Sequence, residues 1–193
     1  KIAISTLMLM SACGPAELKT ADSRDSVSPV VEDPYAWATW ETCSHNIGDN
    51  PCNFTLIDSK GKQVDLYQHF GKVIVIDFST MWCGVCQHIA RTGDEWVNEH
   101  GADKFIWLTV LIEDASGSTV EQSDLEAWVN SYGIQVPVLA GDRNMIDTTD
   151  PLDDGYPITG WPTLVVIDQR MVLQHGINGW NEDVVHNWGR SLL

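Results

Sequence analysis

The spacing of apolar and polar residues changes in an ordered way along the chain. Phe54-Thr55-Leu56-Ile57, a Gly-containing segment at 58–61, and Lys62-Gln63-Val64 predict a β-hairpin. Leu66 to Phe70 predicts a short helical turn that ends at Gly71. Val73-Ile74-Val75-Ile76-Asp77-Phe78 is a nearly unbroken β-branched run, the mark of a strand buried on both faces of a sheet. From Cys83 to Glu99, Val85, Ile89, Trp96 and Val97 fall near one helical face, and Gly101 supplies a stop. Phe105 to Ile112 is a second buried strand. Strand, helix and strand at this spacing form a βαβ unit with a right-handed crossover.

Downstream, Ser123 and Glu126 fit a capping box, with Leu125, Trp128 and Val129 as the apolar face and Gly133 as the end. Val136-Pro137-Val138-Leu139 predicts a short strand, placed at an edge by its proline. Residues 141–160 read as a long loop. Thr163–Ile167 and Met171–His175 predict an antiparallel pair, and Asn181 caps a helix that runs to Leu193. The pattern as a whole is α/β.

The first residues do not belong to this pattern. Lys1 precedes a short apolar run, and Ser11-Ala12-Cys13 follows. This is the layout of a signal peptide, and the run is far short of the roughly 20 residues a membrane span needs. Met10-Ser11-Ala12-Cys13 resembles a bacterial lipobox, with Met10 where Leu is usual. The resemblance implies that Cys13 is lipid-modified and anchors the chain to a bacterial membrane from the periplasmic side. Residues 14–35 carry Gly14, Pro15, Pro29 and Pro34 among Ser, Asp and Glu, the composition of a flexible tether. The expected organisation is thus signal peptide 1–13, tether 14–35 and folded domain 36–193.

Composition narrows the partners. The net charge of −16 disfavours nucleic acid and an electrostatic grip on anionic membranes. There are five cysteines, an odd number outside the cytoplasm. Lipidation of Cys13 would account for one. Cys43 and Cys52 enclose a short loop and, in an oxidising compartment, read most simply as a structural disulfide. A second redox pair is the alternative.

The remaining pair, Cys83-Gly84-Val85-Cys86, lies between a buried strand and a helix. The free N–H groups and dipole of a helix N-terminus favour an anion, so Cys83 is placed to react as a thiolate. Two intervening residues bring Cys86 within reach to resolve a mixed disulfide on Cys83. Haem attachment would need His where Gln87 stands. A zinc site would need two further ligands, for which Cys43 and Cys52 have an unusual spacing. A plain structural disulfide is the third alternative. His88 lies two residues beyond Cys86 and reads as a solvated helical His.

Val75-Ile76-Asp77-Phe78-Ser79-Thr80-Met81-Trp82-Cys83-Gly84-Val85-Cys86 resembles the active-site segment of thioredoxins. From Phe54 onward, with Gly71-Lys72-Val73 before the central strand, the chain resembles the extracytoplasmic TlpA/ResA-type proteins. The resemblance implies a thioredoxin-like fold, with a central mixed β-sheet flanked by helices and an N-terminal β-hairpin extension. It implies that Asp77 is the buried carboxyl of the site; in an apolar strand such a carboxyl has a raised pKa and can exchange a proton with Cys86. It also implies a cis peptide bond before Pro162, with Trp82 and Trp161 beside the substrate. Many relatives have Pro where Val85 stands, a position that tunes the potential.

The expected function is thiol–disulfide exchange with extracytoplasmic proteins, by analogy as a reductant fed by a membrane thiol donor. The expected chain is a monomer without metal or other cofactor. The rival is a copper-binding or metallochaperone protein of the same fold.

Overall fold

The computed structural model describes residues 33–146 and 155–193. The signal segment, Cys13 and the tether up to residue 32 lie outside the described residues. Tyr35, at the expected end of the tether, already packs edge-on against Tyr67, and its hydroxyl donates to Asp65 Oδ2 at 2.7 Å.

The hairpin forms from β1 (Thr55–Ile57) and β2 (Gln63–Asp65). A single 3-10 turn over Leu66–His69 follows. Next come β3 (Val73–Thr80), α1 (Gly84–Ile89), α2 (Thr92–His100) and β4 (Phe105–Glu113). After them are α3 (Gln122–Tyr132), β5 (Val138–Ala140), β6 (Thr163–Ile167), β7 (Leu173–Asn178) and α4 (Glu182–Ser191).

The main sheet has the order β5-β4-β3-β6-β7. Its centre is β3, parallel to β4 and antiparallel to β6, so the sheet is mixed. Every residue of β3 is buried, as its apolar run requires. The short strand after Pro137 is an edge, where a residue without N–H does least harm.

Side chains alternate across a strand, so the sheet carries two cores. One holds Val73 and Val75 of β3 with Trp107 of β4, Trp96 of α2, Leu125 and Trp128 of α3, and Val185 of α4. The other holds Ile74, Ile76 and Phe78 with Val64 and Leu66. Trp37, Trp40 and Phe54 pack against this second core. Helices therefore cover one face, and the hairpin with the aromatic segment before it covers the other.

Three local expectations are corrected. The helix expected over 83–99 is two helices, with Cys83 as the N-cap of α1 and Arg91 as that of α2. Gly93 lets α2 close on β4: a Cβ there would stand 2.5 Å from Trp107 Cγ. The Asp94 carboxylate also accepts from the backbone N–H groups of Gln135 and Val136, which fixes α2 by its own first turn. In α3, Ser123 is not the cap. Glu121 and Asp124 bond each other's backbone N–H instead, and the helix starts at Gln122. Finally, β7 begins at Leu173. Met171 adopts positive φ inside the turn, where the Asp168 carboxylate accepts from the N–H of Arg170 and Val172.

The loop after β5 includes a 3-10 turn at Arg143–Met145 and a bridge between Ile146 and Tyr156. No helix among the described residues is long and apolar enough to cross a membrane.

Candidate active site

The chain leaves the C-terminal end of β3 through Met81 and Trp82 into α1. This connection is held at several points. Met81 N–H donates to the Glu113 carbonyl at 3.0 Å, and Gln87 Nε2 donates to the Met81 carbonyl at 2.8 Å. The site is therefore set on the ends of the two central parallel strands.

Cys83 and Cys86 are both free thiols, the dithiol form of the pair. Cys83 caps α1 with extended backbone, and its Sγ accepts from Cys86 N–H at 3.3 Å. That bond turns one of the free N–H groups of the helix start onto the sulfur. Cys83 keeps 8% of its surface exposed, and Cys86 has none. Trp82 and Val85, which flank Cys83 and Gly84 in sequence, are apolar and 48% and 45% exposed. Val85 is thus a surface residue of the pair, not a core one.

Burial pushes the Cys86 thiol well above its ordinary range, and the neighbouring Cys83 sulfur and Asp77 carboxyl add to the shift. Asp77 is 1% exposed. It lies on the same face of β3 as Val73 and Val75, the face of the core that contains both cysteines. Burial raises its carboxyl to about 7, against hydrogen bonds from Ser79 and Thr109 that lower it. Ser79 Oγ donates to Asp77 Oδ1 at 2.6 Å, and Thr109 is Asp77's register partner on β4. The carboxyl, its two hydroxyl partners and the thiol pair form one buried polar group in an otherwise apolar core.

The Trp161–Pro162 peptide bond is cis. Phe78 pairs with Thr163 across β3 and β6, which sets Pro162 beside the end of β3 that leads to Cys83. Pro162 is buried, and Trp161 is half-buried, packed against the core that includes both cysteines. Pro162 has no N–H to donate, so that side of the strand leaves the sulfurs unbonded by its backbone.

Three residues at the site were missed by the sequence reading. Ser79 and Thr109 look like ordinary strand hydroxyls, and only the register joins them to Asp77. Glu113 closes an apolar strand, is buried, and accepts from Trp82 Nε1 at 2.7 Å. Its other carboxylate oxygen forms an ion pair with Arg143. A polar residue directly after the apolar run of Phe105–Ile112 was the available signal.

Cys43 and Cys52 form a disulfide. Its loop is bonded to the far turn of the sheet: Gly48 N–H donates to the Leu173 carbonyl at 2.7 Å, and Leu173 N–H to the Asp49 carbonyl at 2.9 Å. Cys52 lines a cavity with Tyr156, a member of the hairpin-side core, whereas Cys83 and Cys86 belong to the helix-side core. The two cysteine pairs are separated by the sheet.

The comparisons agree with this architecture. Residues 47–176 match the AhpC/TSA family profile. Probable nucleoredoxin 1 of Arabidopsis thaliana is 30% identical over 135 residues, 69% of this chain but only 22% of that protein. Thiol-disulfide oxidoreductase ResA of Bacillus subtilis is 22% identical over 142 residues, 73% of each. The thioredoxin domain of a thiol-disulfide oxidoreductase from Bacteroides vulgatus superimposes with a TM-score of 0.59 at 17% identity, covering 79% of this chain and 99% of that one. The exposed lipoprotein thioredoxin of Streptococcus pneumoniae gives 0.54 at 24% identity, covering 73% and 100%. These structures establish the thioredoxin-like fold. The profile match runs through the cysteine pair, the buried carboxyl and the cis proline, and the chain belongs to the AhpC/TSA family.

Proposed function

We propose that this thiol–disulfide oxidoreductase reduces disulfides of extracytoplasmic proteins through Cys83 and Cys86. The observation that carries it is Cys83 Sγ at the helix start, accepting from Cys86 N–H at 3.3 Å, with the Asp77 carboxyl buried on the same face.

The Cys83 thiolate attacks one sulfur of a substrate disulfide. A sulfur–sulfur bond forms on Cys83, the substrate bond breaks, and one substrate thiolate leaves. Cys86, buried and with its thiol pushed up, stays protonated during this step. Asp77, poised near neutrality, then takes the Cys86 proton. The Cys86 thiolate attacks Cys83, the second substrate thiol is released, and the Cys83–Cys86 disulfide remains. A membrane thiol donor restores the dithiol. Trp82, Val85 and Trp161 offer the apolar surface on which an extended substrate segment lies.

Residues 36–193 act as the exchanging domain, as a monomer, with Cys43–Cys52 as a structural staple. The signal pattern and the lipobox-like Cys13 support a lipid-anchored periplasmic protein on a tether. Copper titration of the reduced chain discriminates this reading from a copper-binding protein of the same fold.

Trapping tests the reading. Cys86→Ser should accumulate mixed disulfides with disulfide-bonded protein substrates through Cys83, and Cys83→Ser should accumulate none. Equal trapping by both variants would sink the assignment.

A further inference from the structure

The thiol site lies beyond the C-terminal end of β3. At the opposite end of the same face, α2 finishes at His100 shortly before β4 begins. There α2 meets α4. Glu99 and His100 of α2 and His186 of α4 bring one ligand atom each within 4.8 Å of one another.

Two observations make this more than a polar cluster. The Nε2 atoms of His100 and His186 are both buried, and neither has a hydrogen-bond partner. His186 Nε2 stands 3.2 Å from Glu99 Oε2, but it is not aligned to donate. Buried nitrogens are rarely left so, because each forfeits its bonds to water. Second, the spacing fits a coordination shell. Zinc bonds of about 2.0–2.1 Å in a tetrahedron set neighbouring ligand atoms about 3.3 Å apart. The His186–Glu99 pair already has that separation.

The rings are also held in place. His186 stacks on Trp96 with centroids 4.6 Å apart, and His100 lies edge-on to Phe105 at 5.3 Å. Arg190 is the opposing charge nearby. Glu99, the C-terminal end of α2 and the chain's net charge of −16 favour a cation.

We propose that Glu99, His100 and His186 form a divalent metal site of the zinc class, which clamps α2 to α4. Two imidazoles and a carboxylate are a nitrogen and oxygen set that suits Zn²⁺ and leaves a fourth position for water. The site is separate from the thiol pair and does not depend on the redox reading.

The test is calorimetric titration of Zn²⁺ into the full chain carrying Cys83→Ser and Cys86→Ser, so that the dithiol cannot bind metal. One zinc per chain is expected, together with a rise in Tm. In that background His186→Gln and Glu99→Gln should each weaken binding at least about tenfold. Glu99 is exposed, so Glu99→Gln keeps the test decisive if His186→Gln folds poorly. No zinc uptake, or uptake that neither substitution weakens, would overturn the site.

Discussion

Trp82 donates its indole N–H to the buried carboxylate of Glu113 at 2.7 Å. The residue before the attacking cysteine is thereby tied to the end of β4, and Arg143 pairs with the same carboxylate from the loop after β5. Half of Trp82 remains exposed. Its edge is fixed while its face stays available to a partner.

Removing that carboxylate should cost stability and rate together. Glu113→Ala leaves the indole N–H without its acceptor, and the expected loss is about 1–3 kcal/mol. Glu113→Gln keeps an acceptor and should recover part of it. Urea unfolding and the rate of disulfide reduction check both. A wild-type rate for Glu113→Ala would show that Trp82 needs no anchor.

Asp77 makes the domain pH-dependent in a definite direction. Its folded pKa of about 7 lies above the ordinary carboxyl value of 3.8. The unfolded chain therefore loses this proton first, so the contribution of Asp77 to stability is full below about pH 4, falls as pH rises, and is lost above about 7. The interval corresponds to about 4 kcal/mol at most. Asp77→Asn removes the titration and can still accept from Ser79. It should be more stable than the parent at pH 8, with the gap closing toward pH 4. A constant gap in denaturant melts across that range would contradict the buried, protonated carboxyl.

The same residue should matter to one chemical step more than the other. Asp77→Ala is expected to slow resolution by Cys86 and to leave the first attack by Cys83 much less affected. Stopped-flow mixing with a model disulfide separates the two phases; equal slowing of both would remove Asp77 from proton transfer.

The disulfide of Cys43 and Cys52 should behave as a staple. Opening its short loop is expected to cost about 2.7 kcal/mol through the entropy of the unfolded chain. Cys43→Ser with Cys52→Ser should lower the unfolding free energy and leave the exchange rate intact. A matching loss of exchange would revive a relay between the two pairs.

The sequence exposed some of this and hid the rest for physical reasons. Val73–Phe78 and Phe105–Ile112 were legible because strands buried on both faces are continuously apolar. The Cys83–Cys86 spacing marked the reactive turn by its place after such a strand. The break between α1 and α2 was not legible, since Val85, Ile89, Trp96 and Val97 keep a helical spacing across it. The α3 cap was misplaced because a Glu side chain seldom caps, and Ser123 matched the preferred chemistry. Ser79, Thr109 and Glu113 join the site only through strand register, which no local pattern encodes.

The most direct measurement is the reduction potential of Cys83/Cys86, by equilibration with glutathione and mass-spectrometric counting of thiols. A reductant should lie near about −270 mV, the thioredoxin value, with Cys43–Cys52 unchanged over the same range. A potential near about −120 mV, or no exchangeable disulfide between Cys83 and Cys86, would contradict it.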